Sequence, residues 1–305
     1  MTWIITSDQV NPPGDAAITY GITNAGGVFN LRSTGTVDYE IEWGDGAVEI
    51  STLTTLPHTY TAGDYDLVVY SDGVYRPFFT NVTADANQIT SVVIGPGANL
   101  GTSLESAWYG ASNMTSFACP FDVTSGVTSF TRAWHSCNSL TSFPLVNSSS
   151  VTAFSNAWRG CSSLTSFPSL DTSSGVAFNR AWTACNSLTS FPLLDISSGA
   201  DFRFSWSGCS SLANFPANMF DTTGALGAFD GAWLNCALTA QSIENILVSL
   251  DTNGQSNINL SINGGTNAPR YQGTSGTTLN WSAAAEQAFN NLETKGWTIS
   301  YNSYA

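Results

Sequence analysis

Charge is scarce in this chain of 305 residues, where Asp, Glu, Lys and Arg together make up 10% against about 25% in an ordinary globular protein. Lys295 is the only lysine. Eight bases face 22 acids, and the net charge of −14 argues against nucleic acid, whose binding depends on neutralising phosphates with Lys and Arg. An anionic membrane surface is disfavoured for the same reason. No long apolar run occurs, so no transmembrane helix or membrane insertion is expected. The start Met1-Thr2-Trp3-Ile4-Ile5-Thr6 has neither the basic nor the apolar region of a signal peptide, and synthesis in the cytoplasm without ordinary export is the expectation. Cysteine and histidine never meet the short C-x₂₋₄-C spacing of a zinc site. His135 stands alone beside Trp134, and no metal or cofactor is expected. Gly, Ser, Thr and Asn are abundant, yet aromatics supply 12% and recur in register, which is not the composition of a disordered chain.

That register is a block of about 24 residues, F-x-x-A-W-x-x-C-x-S-L-T-S-F-P. Its clearest copies span 130–144, 154–168, 178–192 and 202–216, with Trp134, Trp158, Trp182 and Trp206 at constant spacing. A degenerate copy precedes them (Leu104, Trp108, Met114, Phe117) and another follows (Phe229, Trp233, Cys236, Leu238). A period in this range predicts a solenoid of stacked coils, in which no coil buries its apolar face alone. Phe130, Ala133, Trp134 and Cys137 fall at i, i+3, i+4 and i+7, the spacing of one face of a short helix. Leu140 and Phe143 continue inward along an extended segment that Pro144 stops. Asn147, Asp171 and Asp195 lead Ser/Gly-rich returns.

Stacking would place Cys137, Cys161, Cys185, Cys209 and Cys236 in one column. A disulfide between neighbours is geometrically possible, but an odd column cannot be fully paired and small apolar Cys packs well, so buried free thiols are preferred, as for Cys119 off the column. The tryptophans could form a stacking platform for carbohydrate, yet their phase with Phe, Ala and Cys makes them core. Thr141, Thr165 and Thr189 form an outward hydroxyl ladder, able to bind an ordered surface such as ice or polysaccharide, with a solvated strand face as the plainer alternative. Arg132, Arg159, Arg180 and Arg203 lie near the tryptophans on the polar side, either as a ligand cluster or as carbonyl caps and solubilising charges.

Residues 1–85 follow a different pattern. Val37–Trp43 and Tyr65–Tyr70 alternate like strands with one buried face, and Gly44-Asp45-Gly46 reads as a tight turn. With His58-Thr59-Tyr60 and Gly63-Asp64-Tyr65, the W-G-D-G, H-T-Y and G-x-Y elements resemble polycystic-kidney-disease (PKD)-type domains. That resemblance implies a small immunoglobulin-like β-sandwich with Trp43 and Tyr65 in its core and Asp45 closing the turn. Asp45 and His58 could be a catalytic pair, but no nucleophile motif accompanies them.

After the last coil, the stretches 242–250 and 282–292 read as helices, Ile258–Ile262 and Trp297–Tyr301 as strands, and 264–278 as a polar loop without the lysine of a phosphate-binding motif. A unit of this kind would cap an exposed solenoid end. The repeat wording Cys161-Ser162-Ser163-Leu164-Thr165-Ser166 and the ending 292–299 resemble BspA-type leucine-rich-repeat surface proteins, with Trp where that repeat more often has Phe or Met. The expected architecture is a multidomain β-rich α/β chain: an immunoglobulin-like β-sandwich (1–85), a leucine-rich-repeat solenoid of about six coils (86–238) and a helix-strand cap (239–305).

The three-part order is similar to proteins encoded by tailed bacteriophages and some bacteria. It implies a non-enzymatic virion surface protein, a fibre, spike or decoration that adheres to the host. Its partners would be other virion proteins or itself through the amino-terminal domain, and a host surface glycan or protein. A purely structural capsid or tail decoration protein and a bacterial cell-surface adhesin are the alternatives. A polysaccharide hydrolase would want paired carboxylates in a cleft, whereas the repeat acids sit in turns one coil apart.

Overall fold

The computed structural model describes residues 17–34, 39–71, 73–79, 83–224, 227–272 and 278–303. The first six residues, Val37 and Asp38 of the first alternating segment, and part of the loop 264–278 lie outside the described residues.

Strands β1 (Ala17–Arg32), β2 (Tyr39–Glu42), β3 (Val48–Ser51), β4 (Thr55–Ser71), β5 (Ile89–Ile94) and β6 (Ser116–Ala118) form one sheet in the order β3-β2-β4-β1-β5-β6. A four-residue helix, α1 (Thr83–Ala86), precedes β5. β1 and β4 make a long antiparallel ribbon, from Ala17 opposite Tyr70 to Arg32 opposite Thr55. Along β1 the buried side chains are Ile18, Tyr20 and Ile22, then Phe29 and Leu31, and in β4 they change likewise from Leu56 and Tyr60 to Leu67 and Val69. Because neighbouring side chains in a strand point to opposite faces, this change of phase means that the ribbon turns its other face inward midway. Gly26 and Gly27 sit at that point with φ of 94° and 135°. Both halves pack around Phe79, whose ring lies 6.3 Å from Tyr20 and 6.3 Å from Phe29. Where the sequence suggests two separate sheets, the described strands form a single one, because β1 and β4, at 16 and 17 residues, continue past the turnover.

β5 pairs with β1 on one side and in parallel with β6 on the other. A strand beyond the expected boundary at 85 therefore completes the amino-terminal sheet and joins it to the first coil. One hydrophobic cluster runs through both.

From Ser103 onward the chain retraces one path. Parallel bridges link Ser103, Ser129, Ala153, Ala177, Asp201 and Ala228 in succession. Trp108, Trp134, Trp158, Trp182, Trp206 and Trp233 stack with ring centroids 5.5, 5.6, 5.8, 5.6 and 5.0 Å apart. A second ladder, Phe117, Phe143, Phe167, Phe191 and Phe215, runs beside it with rings within 9° of parallel. Each second-ladder ring meets its own coil's Trp edge to face, as Phe167 does Trp158 at 4.7 Å and 75°. Such pairs add about 0.5–1.5 kcal/mol each beyond simple burial.

The short helix expected from the i, i+3, i+4, i+7 spacing does not form. Residues 131–136 are a ribbon of turns whose N–H groups alternate between two destinations. Ala133, His135 and Cys137 donate within the coil, three residues back, while Arg132, Trp134 and Ser136 donate to Ser155, Ala157 and Arg159 of the next coil. An α-helix would claim all of these donors for itself. The backbone also turns left-handed two residues before and after each tryptophan, at Arg132 (φ 55°), Ser136 (61°), Asn156 (57°) and Gly160 (78°), which no right-handed helix accommodates. Nor does the Thr141 segment form a strand. Its backbone is extended without regular pairing, with one bridge at Ser190–Asn214, and the continuous parallel ladder lies just before the first Phe of each coil.

The carboxyl end covers the last coil. Helix α2 (Ala240–Asn253) starts at Thr239, whose hydroxyl accepts from Ser242 N–H, and ends at Gly254 in the left-handed region at φ 81°, a usual helix stop. Strand β7 (Asn259–Ile262) bridges back to Phe229 and pairs in parallel with β10 (Thr298–Tyr301). A short antiparallel pair, β8 (Tyr271–Gln272) with β9 (Thr278–Leu279), two residues each, lies between. Helix α3 (Ala283–Thr294) is capped by Ser282, which accepts from Ala285 N–H. Among the described residues no helix is long and apolar enough to cross a membrane.

Candidate binding surface

Stacking divides each coil into residues the fold consumes and residues it leaves outside. Phe, Ala, Trp, Cys, Leu and the second Phe are consumed: Phe154, Ala157, Trp158, Cys161 and Leu164 are fully buried and Phe167 nearly so. All six cysteines are free thiols. Each thiol in the column donates to the Trp carbonyl of the preceding coil: Cys137 to Trp108 (3.3 Å), Cys161 to Trp134 (3.2 Å), Cys185 to Trp158 (3.3 Å), Cys209 to Trp182 (3.1 Å) and Cys236 to Trp206 (3.0 Å). Burial pushes the thiols of Cys161 and Cys119 up to about 12 and holds Cys137 well above the ordinary value. The thiolate is the reactive form. At pH 8 the folded protein is therefore expected to resist a thiol reagent such as Ellman's, and all six groups to react once guanidinium unfolds it. Rapid labelling of the folded chain would contradict this packing.

The outward threonines are partly consumed as well. Thr141, Thr165 and Thr189 are exposed and in register, but the Thr165 hydroxyl points along the stack to the Thr141 carbonyl at 3.3 Å. A second exposed column behaves alike, with Thr152 bonded to Thr128 O and Thr128 to Thr102 O. These hydroxyls tie coils together and retain mainly acceptor capacity for a ligand. In the return loops Asp171 Oδ1 accepts from Ser173 N–H and Oγ, and Asp195 Oδ1 from Ser197 N–H. Those bonds hold the Asp195 carboxyl below the usual range and mark the acids as turn-formers.

The four arginines are exposed but not equivalent. Arg203 forms a two-pronged ion pair with Asp201, at 2.9 and 2.7 Å, and Arg180 lies over the Phe204 ring at 4.8 Å. Arg132 and Arg159 have no carboxylate in ion-pair range among the described residues, and no hydrogen bond joins their side chains to a carbonyl. Both act on His135, which the sequence treats as an isolated histidine. Its ring packs edge to face on Tyr109 at 4.6 Å, and its Nδ1 is buried without a partner. Burial, then Arg159 and Arg132, press its pKa down to about 4, so the ring is neutral at neutral pH. The left-handed positions before and after each Trp, signalled by Gly110, Gly160, Gly208, Asn156 and Asn235, are what bring these side chains to one surface.

In the amino-terminal sheet Asp45 and His58 do meet, with Nε2 and Oδ2 at 2.7 Å. The imidazole is stacked on Trp43 at 4.3 Å and 9°, and Asp45 also accepts from Ala47 N–H, so the pair closes the Gly44–Gly46 turn against the core. The hydrogen bond from His58 holds the Asp45 carboxyl below the ordinary carboxylate value. A lowered folded pKa stabilises fully above the unfolded value of about 3.9 and is lost as pH falls through the folded one. An NMR titration of Asp45 is expected to give a midpoint below that of a free aspartate, and His58→Gln to move it upward. Among the described residues no group of three or more His, Cys, Asp or Glu is placed to hold a metal ion. Compared with known proteins, the chain matches no family model, no curated protein and no solved structure.

Proposed function

We propose that this chain is a non-enzymatic adhesion protein of a tailed-phage particle, displayed as a fibre, spike or decoration and binding the host surface through its stacked coils. The carrying observation is the division of the repeat: the interior columns recur almost unchanged from coil to coil, whereas the outward columns just after and two before each Trp change residue at every step while keeping a fixed spacing. A scaffold that holds its core constant and varies its face suits recognition. The three-part order read in the sequence supports the phage setting. The amino-terminal sheet is the attachment end in this proposal, because its edge strand β3 exposes Val48 and Ile50, followed by Leu53, a row another sheet or particle protein can cover.

Immunogold labelling of purified particles tests the location, and adsorption of gene-deleted particles tests the role. Intact particles that adsorb poorly support adhesion. Particles that assemble poorly but adsorb normally point instead to the decoration role, and absence of the chain from particles overturns both.

A further inference from the structure

A repeat protein carries its own control, since a position required by the fold should look alike on every coil. The position just after each Trp is Tyr109, His135, Arg159, Thr183, Ser207 and Leu234, and the position two before it is Ser106, Arg132, Asn156, Arg180, Phe204 and Gly231. Neither column needs a base, because the neighbouring coils fold with Thr, Ser, Asn or Phe in the same place. Yet on three successive coils these columns gather Tyr109, Arg132, His135 and Arg159. They do so in a chain with only eight bases against 22 acids, where Arg32, Arg203, Arg270 and Lys295 each hold a carboxylate. The acid on the preceding coil, Glu105, pairs with neither Arg132 nor Arg159. Two guanidinium groups thus stand unneutralised beside a neutral imidazole and an aromatic ring. Beside them lie the half-buried polar residues Thr131, Ser155 and Asn179, with the Ser155 hydroxyl bonded to Asn179 Oδ1 at 2.5 Å.

We infer that Tyr109, Arg132, His135 and Arg159 form a binding site for an acidic saccharide, one whose sugar or polyol units carry carboxylate or phosphate groups. The guanidinium fork matches either anion. The Tyr109 ring suits the sugar carbons, and the hydroxyl and amide groups beside the arginines suit the sugar hydroxyls. The two cations lie on consecutive coils, with Trp134 and Trp158 rings 5.6 Å apart, a step comparable with one sugar unit, so a charged polymer lying along the stack meets Arg132 and Arg159 at successive units. Nucleic acid fits less well, because its affinity comes from many phosphate contacts and the two arginines of this site, in a chain of net charge −14, supply few. This inference rests on the adhesion proposal and names its ligand class.

The test is calorimetric titration of the full chain with tetragalacturonate as the carboxylate probe, a glycerol-phosphate oligomer as the phosphate probe and a neutral galactose oligomer as control. One acidic probe is expected to bind with salt-sensitive affinity and to shift the His135 ring signals in NMR spectra, and which probe does so identifies the anion. Arg132→Asn with Arg159→Thr borrows the residues that the fold accepts at those column positions on neighbouring coils. This variant is expected to keep its melting temperature and weaken binding at least tenfold, while Arg203→Asn leaves it within about twofold. Failure of both acidic probes to bind, equal binding of the neutral oligomer, or unchanged affinity in the double variant overturns the site. Adsorption to host cells separates the two levels. A double variant that adsorbs like the parent removes the ligand class and leaves adhesion standing, whereas a parent chain that adsorbs to no host cell removes adhesion whatever the titration shows.

Discussion

Trp158→Ala is expected to be the most damaging single change in the coils, costing about 3–5 kcal/mol, the range for truncating a fully buried aromatic. Trp158 is fully buried, and its ring is sandwiched between Trp134 at 5.6 Å and Trp182 at 5.8 Å, with Phe143 at 5.2 Å and Phe167 at 4.7 Å on its edges. Coils in such a stack touch only their neighbours, so stability is a chain of nearest-neighbour terms and removing a middle ring weakens two interfaces together. The melting temperature should fall on the order of 10 °C, and unfolding followed by tryptophan fluorescence should broaden as the halves on either side uncouple. Trp158→Phe separates packing from hydrogen bonding. The Trp158 indole nitrogen is buried with no oxygen or nitrogen acceptor, so Phe keeps an aromatic in the ladder and removes an unpaired donor, and should cost less than half as much. Equal losses from Ala and Phe would mean that the indole itself, not ring stacking, holds the coil.

The same ladder explains what could be read from the sequence and what could not. The inward residues were legible because a core column must repeat: a Trp recurring every 24 positions with Phe, Ala and Cys in phase leaves little choice about which way it faces. The local backbone was not. A spacing of i, i+3, i+4, i+7 is shared by an α-helix and by a ribbon of turns, and the difference lies in whether alternate N–H groups bond within the coil or across to the next, a choice that belongs to stacking. Gly160 and Gly208 after the tryptophans and Asn156 before one were the available signal, since these residues favour left-handed backbone. In the amino-terminal sheet the alternation of Tyr39, Ile41 and Trp43 was equally plain. The joining of β5 to both β1 and β6 was not, because strand partners far apart in sequence leave no local mark. On the outward face each arginine could be named, but only geometry shows Arg203 spent on Asp201 and Arg132 and Arg159 left free beside His135.

Arg270 stands in a polar loop where no motif singles it out, and its removal carries the second large expected effect. Its guanidinium forms a bidentate pair with Glu286 of α3, Nε to Oε1 at 3.0 Å and Nη2 to Oε2 at 2.7 Å, and reaches the Tyr301 hydroxyl of β10 at 3.3 Å. Its plane lies over Phe289 at 4.2 Å, with Tyr271, Tyr301 and Trp281 within 5.9 Å. Both charged side chains are largely buried, at 14% and 15% exposure, so Arg270→Ala strands the Glu286 carboxylate in an aromatic pocket and should destabilise the carboxyl-terminal unit by about 3–5 kcal/mol. Arg270→Lys keeps the charge but loses the planar fork and the stacking, and should fall between Ala and the parent. The decisive variant replaces both partners, Arg270→Met with Glu286→Leu. Removing two desolvated charges together can be neutral or even stabilising, so urea unfolding of the double variant should recover most of what Arg270→Ala loses. If the double variant is as unstable as the single one, the guanidinium acts through its aromatic contacts and its bond to Tyr301, and the ion pair with Glu286 is incidental to how this end of the stack is closed.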